Sequence, residues 1–580
     1  MLITSIFAAL SDPSNAYNNQ HMYVLQSLAQ VKSIVLLTDI PSSESLTLHL
    51  FTLFFDILSG SSKASTGEQL GKNVEFNMTQ ILVIMVDEST NLPSEVVDII
   101  VAQFLRTDPR AVGTTGGKSK KNGATSTLDE RQSTLVLKEL PPAYNMAKTI
   151  CNTCPEKMAR YVSQYFNDVI LDASASSTGN GMPRDRSHRR KSDDLDESDD
   201  DIPSGPTEED LKELNKAHRL LRELWRASPA VLQNVIPQLE AELSAENVQL
   251  RLLATQTLGD IASGIGAAGP SPPPTMDPAA YPPISLSSPT EIPSSQNLLT
   301  IPSSPQPFPQ AHPQAYSHFL GRRQDKSFLI RAAWTTGIGH ILSTSAGGVG
   351  LSHHDEQRLV SDLARMLGDT DEKVRIAAVK AVGNFSFRDV IQKLGSIGGI
   401  TTTGSVLATL AERVRDRKHP VRVEAMRVLA RIWGVAAGEI VAGDEQVLSI
   451  VGAGPSKILD TFYANDMEIN VLLDHVTFEL LLPLSYPPIK SKSTKASGSN
   501  SQRVKDSQTN GDGDSESADP DKIRTERILV LVKHLDERAK KVFFAVQSRQ
   551  VTLAKIMTAY LQRCDDYNVS QGATLQYGSS

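Results

Sequence analysis

The sequence is poor in three features that mark common protein classes: cysteines, aromatic residues and long apolar runs. Three cysteines among 580 residues cannot build a disulfide framework, and they favour a reducing compartment. The longest purely apolar run is about six residues (Ile81 to Val86), whereas a membrane span needs roughly 20. Aromatic residues make up only 5% of the chain. Its apolar content comes mainly from Leu, Ile, Val and Ala, which suits helices packed on helices.

The charge balance and the N-terminal segment exclude further classes. A formal net charge of −8 creates no global field that would attract nucleic acid or anionic lipid. The first ten residues contain an apolar patch without a basic region before it, so we interpret them as a helix rather than a signal peptide. A chain of 580 residues is long enough for several domains or for one extended array.

Four stretches of the chain align on one template, in which an apolar residue precedes an arginine by twelve positions. The four pairs are Leu239/Arg251, Phe319/Arg331, Leu363/Arg375 and Leu410/Arg422. A further apolar residue follows each arginine after seven positions, at Leu258, Ile338, Val382 and Leu429. Three repeats also carry an aspartate six positions before the arginine, at Asp325, Asp369 and Asp416. The last three arginines are 44 and 47 residues apart, within the roughly 40–47-residue period of HEAT and armadillo repeats.

This template predicts a helix, a short turn with Asp and a second helix that opens with an arginine between apolar residues. Such a repeat cannot bury its apolar face alone, so it stacks on its neighbours. The sequence therefore predicts an all-α fold, a HEAT/armadillo-type solenoid with long disordered insertions. The four repeat arginines are predicted to be structural, and Arg422 is predicted to pair with Asp416 of its own repeat. Solenoids offer long surfaces to partners and seldom carry catalysis.

Changes in composition along the chain divide it into helical regions and insertions. The predicted helical regions are 1–107, 143–173, 207–263, 317–485 and 521–568, with a helix break at Cys154-Pro155 in the second. The predicted insertions are 108–142, 174–206, 264–316 and 486–520, and the third of them is rich in Pro and Ser. All four insertions have too little apolar content to offset the entropy of ordering, so we expect them to be disordered.

Motifs that would bring metal or nucleotide chemistry are incomplete. Cys151 and Cys154 form a C-x-x-C, but structural zinc needs four ligands and a redox motif needs a βαβ context. We therefore expect both thiols to pack at a helix end. His353 and His354 fit a solvated loop before a helix, and the glycines within 337–350 lack the Lys-Ser/Thr of a P-loop. We expect no metal, no cofactor and no catalytic residues.

One basic group stands out in the region predicted to be ordered. It comprises Arg413, Arg415, Arg417, Lys418 and Arg422. Arg422 belongs to the repeat template. Arg413, Arg415 and Lys418, called the basic cluster below, lie off this register and are candidates to bind an anion: phosphate, inositol phosphate or the DNA backbone. The alternative is that these side chains form an ordinary solvated face.

The charged insertion at 174–206 carries two further candidate signals. His188-Arg-Arg-Lys191 fits a nuclear localisation patch or, equally, a plain charged linker. Ser192 follows these basic residues and Ser198 precedes three aspartates, so both are candidate phosphorylation sites in an exposed loop.

Three segments outside the clear repeats resemble one known family. They are 91–105 (NLPSEVVDIIVAQFL), 143–168 (AYNMAKTICNTCPEKMARYVSQYFND) and 536–550 (DERAKKVFFAVQSRQ). They are similar to the precocious-dissociation-of-sisters family of cohesin regulators. The resemblance implies a nuclear, chromatin-associated HEAT protein without enzymatic activity. It also implies binding to the cohesin kleisin subunit and to a cohesin-release factor, and regulation of sister chromatid cohesion in mitosis.

The resemblance to this family also concerns the extent of the chain and the alternative functions that its fold would allow. Compared with the family, we expect it to lack the extreme N-terminus and much of the C-terminal half, as a fragment would. Chromatin contact is expected to be indirect, and no membrane contact is expected. Two alternatives use the same fold: a nuclear transport adaptor, and a HEAT regulatory subunit of a phosphatase or kinase complex. An enzyme is the least supported class, because no set of catalytic residues is present.

Overall fold

The computed structural model describes residues 44–60, 68–89, 92–105, 140–177, 208–287, 298–487 and 519–576. In these ranges the regular secondary structure is helical and contains no strand, which confirms the predicted all-α class. The helices predicted before residue 44, and most of the insertions predicted at 108–142, 174–206 and 486–520, lie outside the described residues. The chain divides into two compact units. One comprises Met1–Pro272 with Glu291–Ser352, and the other Pro273–Thr290 with His353–Ser580.

Helices α1 to α12 form the described part of the first unit. They are α1 (Glu44–Gly60), α2 (Glu68–Glu88), α3 (Ser94–Leu105), α4 (Pro142–Thr153), α5 (Pro155–Ser177), α6 (Glu208–Ala227), α7 (Ile236–Glu242), α8 (Val248–Ala262), α9 (Phe308–Ala311), α10 (Pro313–Gly321), α11 (Phe328–Ser343) and α12 (Ser345–Gly348). Proline separates α4 from α5, because it ends a preceding helix but is tolerated in the first turn of the next. The predicted break at Cys154-Pro155 is thereby confirmed.

Helices α13 to α22 form the described part of the second unit. They are α13 (His353–Leu367), α14 (Glu372–Gly383), α15 (Phe387–Gln392), α16 (Val406–Arg413), α17 (His419–Val441), α18 (Glu445–Val451), α19 (Gly454–Leu459), α20 (Met467–Val476), α21 (Pro520–His534) and α22 (Glu537–Gln576). A π-helical turn, Thr477–Leu481, follows α20. The C-terminal helical segment predicted at 521–568 is therefore a pair of helices, α21 and α22.

The apolar positions of the repeat template are buried in both units. Each template begins on one helix and places its arginine on the next, as the pairs α7/α8, α10/α11, α13/α14 and α16/α17 show. Side chains at the first and last template positions are at most 1% exposed: Leu239, Leu258, Phe319, Ile338, Leu363, Val382, Leu410 and Leu429. Burying a side chain of this size stabilises the fold by about 1.5–3 kcal/mol, so the period marks the core.

Two glycines set the distance between α8 and α11 in the first unit. A Cβ atom added to Gly259 would lie 3.1 Å from the Cα of Gly337, and one added to Gly337 would lie 3.3 Å from the Cζ of Phe319. The missing side chains let the two helix backbones approach closely. Gly337 therefore has a packing role, and it lies inside α11 rather than in a phosphate-binding loop.

The Pro/Ser-rich segment 264–316 differs from the prediction of disorder. In the first unit, the buried carboxylate of Glu223 accepts a hydrogen bond from the Ala267 N–H at 2.8 Å. The Arg226 guanidinium donates to the Leu298 carbonyl at 2.7 Å, and Phe308 is only 1% exposed. The described parts of this segment are thus packed, because polar side chains of α6 satisfy a backbone that has no regular partner of its own.

Candidate functional site

The repeat arginines join neighbouring turns, and Arg375 shows the arrangement most completely. Its Nη1 donates to the carbonyls of Asp369 (2.9 Å) and Thr370 (3.0 Å), in the turn that precedes its own helix α14. Its Nε and Nη2 donate to the two carboxylate oxygens of Asp416, at 2.8 and 2.9 Å. Asp416 lies in the turn before α17, one repeat further along the chain. Arg375 therefore ties its own turn to the next one.

The bonds to the arginine's own turn recur at the other repeat arginines, and Arg251 also contacts the next repeat. In the first unit, Arg251 donates to the Glu246 carbonyl at 2.7 Å, and its Nε lies 3.4 Å from the Asp325 carboxylate of the following repeat. Arg331 donates to the Asp325 carbonyl at 3.0 Å. In the second unit, Arg422 donates to the Asp416 carbonyl at 3.1 Å. Each arginine thus binds carbonyls of its own turn.

The predicted carboxylate partner of Arg422 needs correction. Arg422 meets Asp416 through the backbone carbonyl, whereas the carboxylate of Asp416 binds Arg375 of the preceding repeat. The reason is the local turn: the carboxylate Oδ1 also accepts the N–H of Lys418 at 2.9 Å, which fixes the side chain in the position where both oxygens reach Arg375. Burial opposes ionisation of Asp416, but the bonds from Arg375 and Lys418 outweigh it and lower the pKa of this carboxyl.

The basic cluster lies at the turn between α16 and α17, where carboxylates surround it. Arg413 lies 3.4 Å from Asp416, the exposed Arg415 lies 3.5 Å from Asp460, and the exposed Lys418 lies 3.0 Å from Glu372. These ion pairs reduce the positive potential that the cluster offers to an anion. The structure brings the three residues together, as an anion site would need, but each already has an acidic neighbour.

The other residues singled out from the sequence take ordinary positions. Cys151 and Cys154 lie at the end of α4, and burial raises the pKa of the Cys151 thiol to about 12, so it stays protonated. His353 and His354 are exposed at the start of α13. Across the described ranges, no group of three or more His, Cys, Asp or Glu residues is placed to hold a metal ion. Ser192, Ser198 and the basic patch at 188–191 lie outside the described residues.

A buried histidine–glutamate pair in the first unit was not anticipated. His218 Nδ1 lies 2.9 Å from the Thr257 hydroxyl, and His218 Nε2 lies 3.5 Å from a carboxylate oxygen of Glu242. Burial raises the pKa of Glu242 to about 8. Burial and the nearby Arg222 lower the pKa of His218 to about 3. Both side chains are therefore uncharged near neutral pH, and the pair has a structural rather than a catalytic environment.

Beyond Val546, α22 presents apolar side chains to solvent. Near its start, Ala539, Val542 and Val546 are buried. Further along, the exposed large apolar residues, each at least 49% exposed, are Val551, Leu553, Ile556, Met557, Tyr560, Leu561 and Tyr567. In the described parts of the chain, no helix is both long and apolar enough to cross a membrane.

Comparison with known proteins assigns the repeat architecture to a family. A family model described as "Sister chromatid cohesion protein PDS5 protein" matches residues 1–577. The chain belongs to the PDS5 family. The similar segments at 91–105, 143–168 and 536–550 lie inside this match, so the resemblance drawn from them is confirmed. PDS5 proteins are sister chromatid cohesion proteins, and the family is non-enzymatic.

Individual relatives agree with the family match. The chain is 26% identical over 567 residues to the sister chromatid cohesion protein pds5 of Schizosaccharomyces pombe, covering 98% of this chain and 36% of the relative. It is 22% identical over 562 residues to PDS5 of Saccharomyces cerevisiae, covering 97% and 33% respectively. The chain therefore spans about a third of the length of these PDS5 relatives.

One solved PDS5 structure shows the fold. It is the Pds5–Scc1 complex, which matches with a TM-score of 0.52 and 21% sequence identity and covers 95% of this chain and 62% of that chain. Together with the buried repeat positions, this match confirms the HEAT/armadillo-type helical fold predicted from the arginine period.

Proposed function

We propose that the chain acts as a non-enzymatic scaffold that binds the kleisin subunit of cohesin and thereby regulates sister chromatid cohesion. The observation that carries this proposal is the PDS5 match over residues 1–577. The solved structure with the same fold is a complex of Pds5 with Scc1. Stacked helix pairs supply long, continuous surfaces, which suit an extended polypeptide ligand better than a compact small molecule.

Two finer parts of the proposal follow from family membership alone. A cohesin-release factor is a second proposed partner, and the proposed location is nuclear chromatin, where cohesin acts. Anion binding by the basic cluster remains a separate proposal, for inositol phosphate or the DNA backbone, and its acidic neighbours Asp416, Asp460 and Glu372 argue for weak binding.

Direct binding of a kleisin fragment tests the leading proposal. Purified chain would be titrated against overlapping, fluorescently labelled kleisin peptides, with composition-matched scrambled peptides as controls. We expect one peptide region to bind at micromolar concentration while its scrambled form does not. If no peptide binds although circular dichroism shows that the chain is folded, the proposal is contradicted.

Affinity purification from mitotic cells separates the alternatives that share this fold. Cohesin subunits in the bound fraction support the cohesion scaffold. Recovery of Ran-type transport factors, or of a phosphatase catalytic subunit, without cohesin would favour a transport adaptor or a phosphatase subunit. Cross-linking of the recovered complex would then identify which helices face the kleisin.

A further inference from the structure

A short part of the proline-rich insertion lies against α17 in the second unit. This part, residues 277–287, is called the proline segment here, and it has no regular secondary structure of its own. Gly434 and Gly438 on α17 are four residues apart and so share one helix face. A Cβ atom at Gly434 would overlap the carbonyl oxygen of Leu480 and lie 2.8 Å from the Cβ of Pro278, and one at Gly438 would overlap the Cβ of Pro283. The missing side chains at these two glycines leave room for Pro278 and Pro283, and the two positions are called the glycine seats below.

A buried arginine holds the first end of the proline segment. Arg527 on α21 is 5% exposed, and its Nη1 donates to the Pro278 carbonyl at 2.8 Å. The same guanidinium donates to the carbonyls of Gly434 (2.9 Å) and Leu481 (3.0 Å). It also lies 4.7 Å from the centre of the Tyr486 ring. Arg527 thus binds a backbone group of the segment while being fixed by the unit itself.

Two charged side chains hold the other end. Glu439 on α17 accepts hydrogen bonds from the Ser285 hydroxyl and from the Leu286 N–H, both at 2.7 Å. Arg388 on α15 donates to the Leu286 carbonyl at 2.8 Å. Hydrogen bonds to charged groups are shorter and stronger than those between neutral groups, so these contacts hold the segment firmly.

The contacts define the chemistry of the ligand. Three of the four polar contacts from Arg527, Glu439 and Arg388 go to the backbone of the segment, and only the contact with Ser285 goes to a side chain. Backbone contacts of this kind do not depend on the ligand being part of the same chain. The remaining selectivity comes from the glycine seats, which accept two prolines five residues apart.

We propose that this groove, formed by Gly434, Gly438, Glu439, Arg527 and Arg388, is a peptide-binding site for extended segments with two prolines five residues apart followed by a small hydroxyl residue. The proline segment is its resident ligand within the chain. A segment of the same chemistry on a partner protein occupies the groove when the resident one leaves. This site is independent of the kleisin proposal, because nothing in its geometry involves cohesin.

The resident ligand makes a competition experiment possible. A tether within the same chain gives an effective concentration in the millimolar range, so a free peptide binds the intact protein weakly. The probe is a fluorescent peptide of residues 275–289, titrated by anisotropy. The first receptor is a variant in which residues 277–287 are replaced by a Gly/Ser linker of equal length. We expect it to bind the probe at least about tenfold more tightly than the unaltered chain does.

Substitutions in the protein and in the peptide test whether the probe binds in this groove. In the linker variant, Glu439→Gln should weaken the probe about tenfold, because it removes the charge from two hydrogen bonds. Glu445→Gln, at an exposed site on the neighbouring α18, should leave it unchanged. A probe with both seat prolines (residues 278 and 283) changed to aspartate should not bind.

A second receptor covers the case in which the linker variant does not fold. It keeps the full chain but carries Pro278→Asp and Pro283→Asp, which weaken only the resident ligand. The proposal is overturned if a folded variant fails to bind the probe, or if the unaltered chain binds it equally well. It is also overturned if both variants unfold, because the segment is then a fixed part of the fold.

Discussion

Replacing Asp416 by alanine tests the link between neighbouring repeats where it is best defined. Its carboxylate accepts two hydrogen bonds from Arg375, at 2.8 and 2.9 Å, and one from the Lys418 N–H at 2.9 Å. Removal leaves Arg375, only 9% exposed, with the carbonyls of Asp369 and Thr370. Breaking a buried pair costs about 3–5 kcal/mol. Because Arg375 keeps two acceptors, we expect a loss of about 3 kcal/mol in the free energy of unfolding.

A second aspartate provides a control that separates the contribution of the ion pair from that of a helix cap. Asp466 accepts the Glu468 N–H at 2.8 Å at the start of α20, and no Lys or Arg of the described chain lies within ion-pair distance of its carboxylate. Asp466→Ala should therefore cost only about 1 kcal/mol, the value of a cap. Thermal unfolding should show a drop of about 6–12 °C for Asp416→Ala, since each kcal/mol shifts the midpoint by about 2–4 °C. Equal drops for the two variants would refute the pairing argument.

The low pKa of Asp416 adds a pH test of the same link. A carboxyl whose pKa is lower in the folded state contributes stability above its unfolded pKa, and this contribution is lost as pH falls through the folded pKa. The difference in midpoint between the unaltered chain and Asp416→Ala should therefore be full at neutral pH and should shrink in acid. A difference that stays constant down to strongly acidic pH would show that packing, and not the charge of Asp416, causes the loss.

Three further changes test other parts of the structure. The thermal midpoint of Glu242→Gln, relative to that of the unaltered chain, should rise between about pH 5 and pH 8. Over this range the unaltered chain loses stability, because Glu242 ionises in the unfolded state but stays protonated in the folded state, where its pKa is about 8. Midpoints that change with pH in parallel would contradict this. Gly337→Ala should cost about 1 kcal/mol in urea unfolding, whereas Gly321→Ala, with open space around it, should not destabilise. Alanine at all three positions of the basic cluster should weaken inositol phosphate binding only severalfold, because each side chain already has an acidic neighbour, and an unchanged affinity would reject the anion site.

The core was predictable from the sequence because its signal repeats. The apolar positions around Arg375 and Arg422 recur at fixed spacing, so a single alignment of the chain with itself locates buried residues on eight helices. The direction of the Asp416 carboxylate was not predictable. Spacing shows that Asp and Arg recur together, but it does not show which repeat supplies the partner.

The packed proline segment was missed for a different physical reason. Composition measures how much apolar surface a segment can bury by itself, and Pro and Ser offer little. It does not register that Gly438 leaves room for Pro283, or that Arg527 and Glu439 bind the backbone of a segment 150 or more residues away in sequence. The Gly-x-x-x-Gly spacing at 434–438 was the available signal, since glycines four apart on a helix permit close backbone approach.

The direction of the arginine links determines which changes in repeat number the array tolerates. Within the second unit, Arg375 donates to the Asp416 carboxylate of the following repeat. Arg422 donates to the Asp416 carbonyl of its own turn, so the link between these two repeats runs in one direction. Two such forward links are Arg251 to Asp325 in the first unit and Arg375 to Asp416 in the second. Duplicating or deleting a complete period keeps each such arginine one repeat before the aspartate that it binds. A gain of half a period would separate an arginine from the aspartate that it binds, so we expect whole-repeat changes to be tolerated better than partial ones.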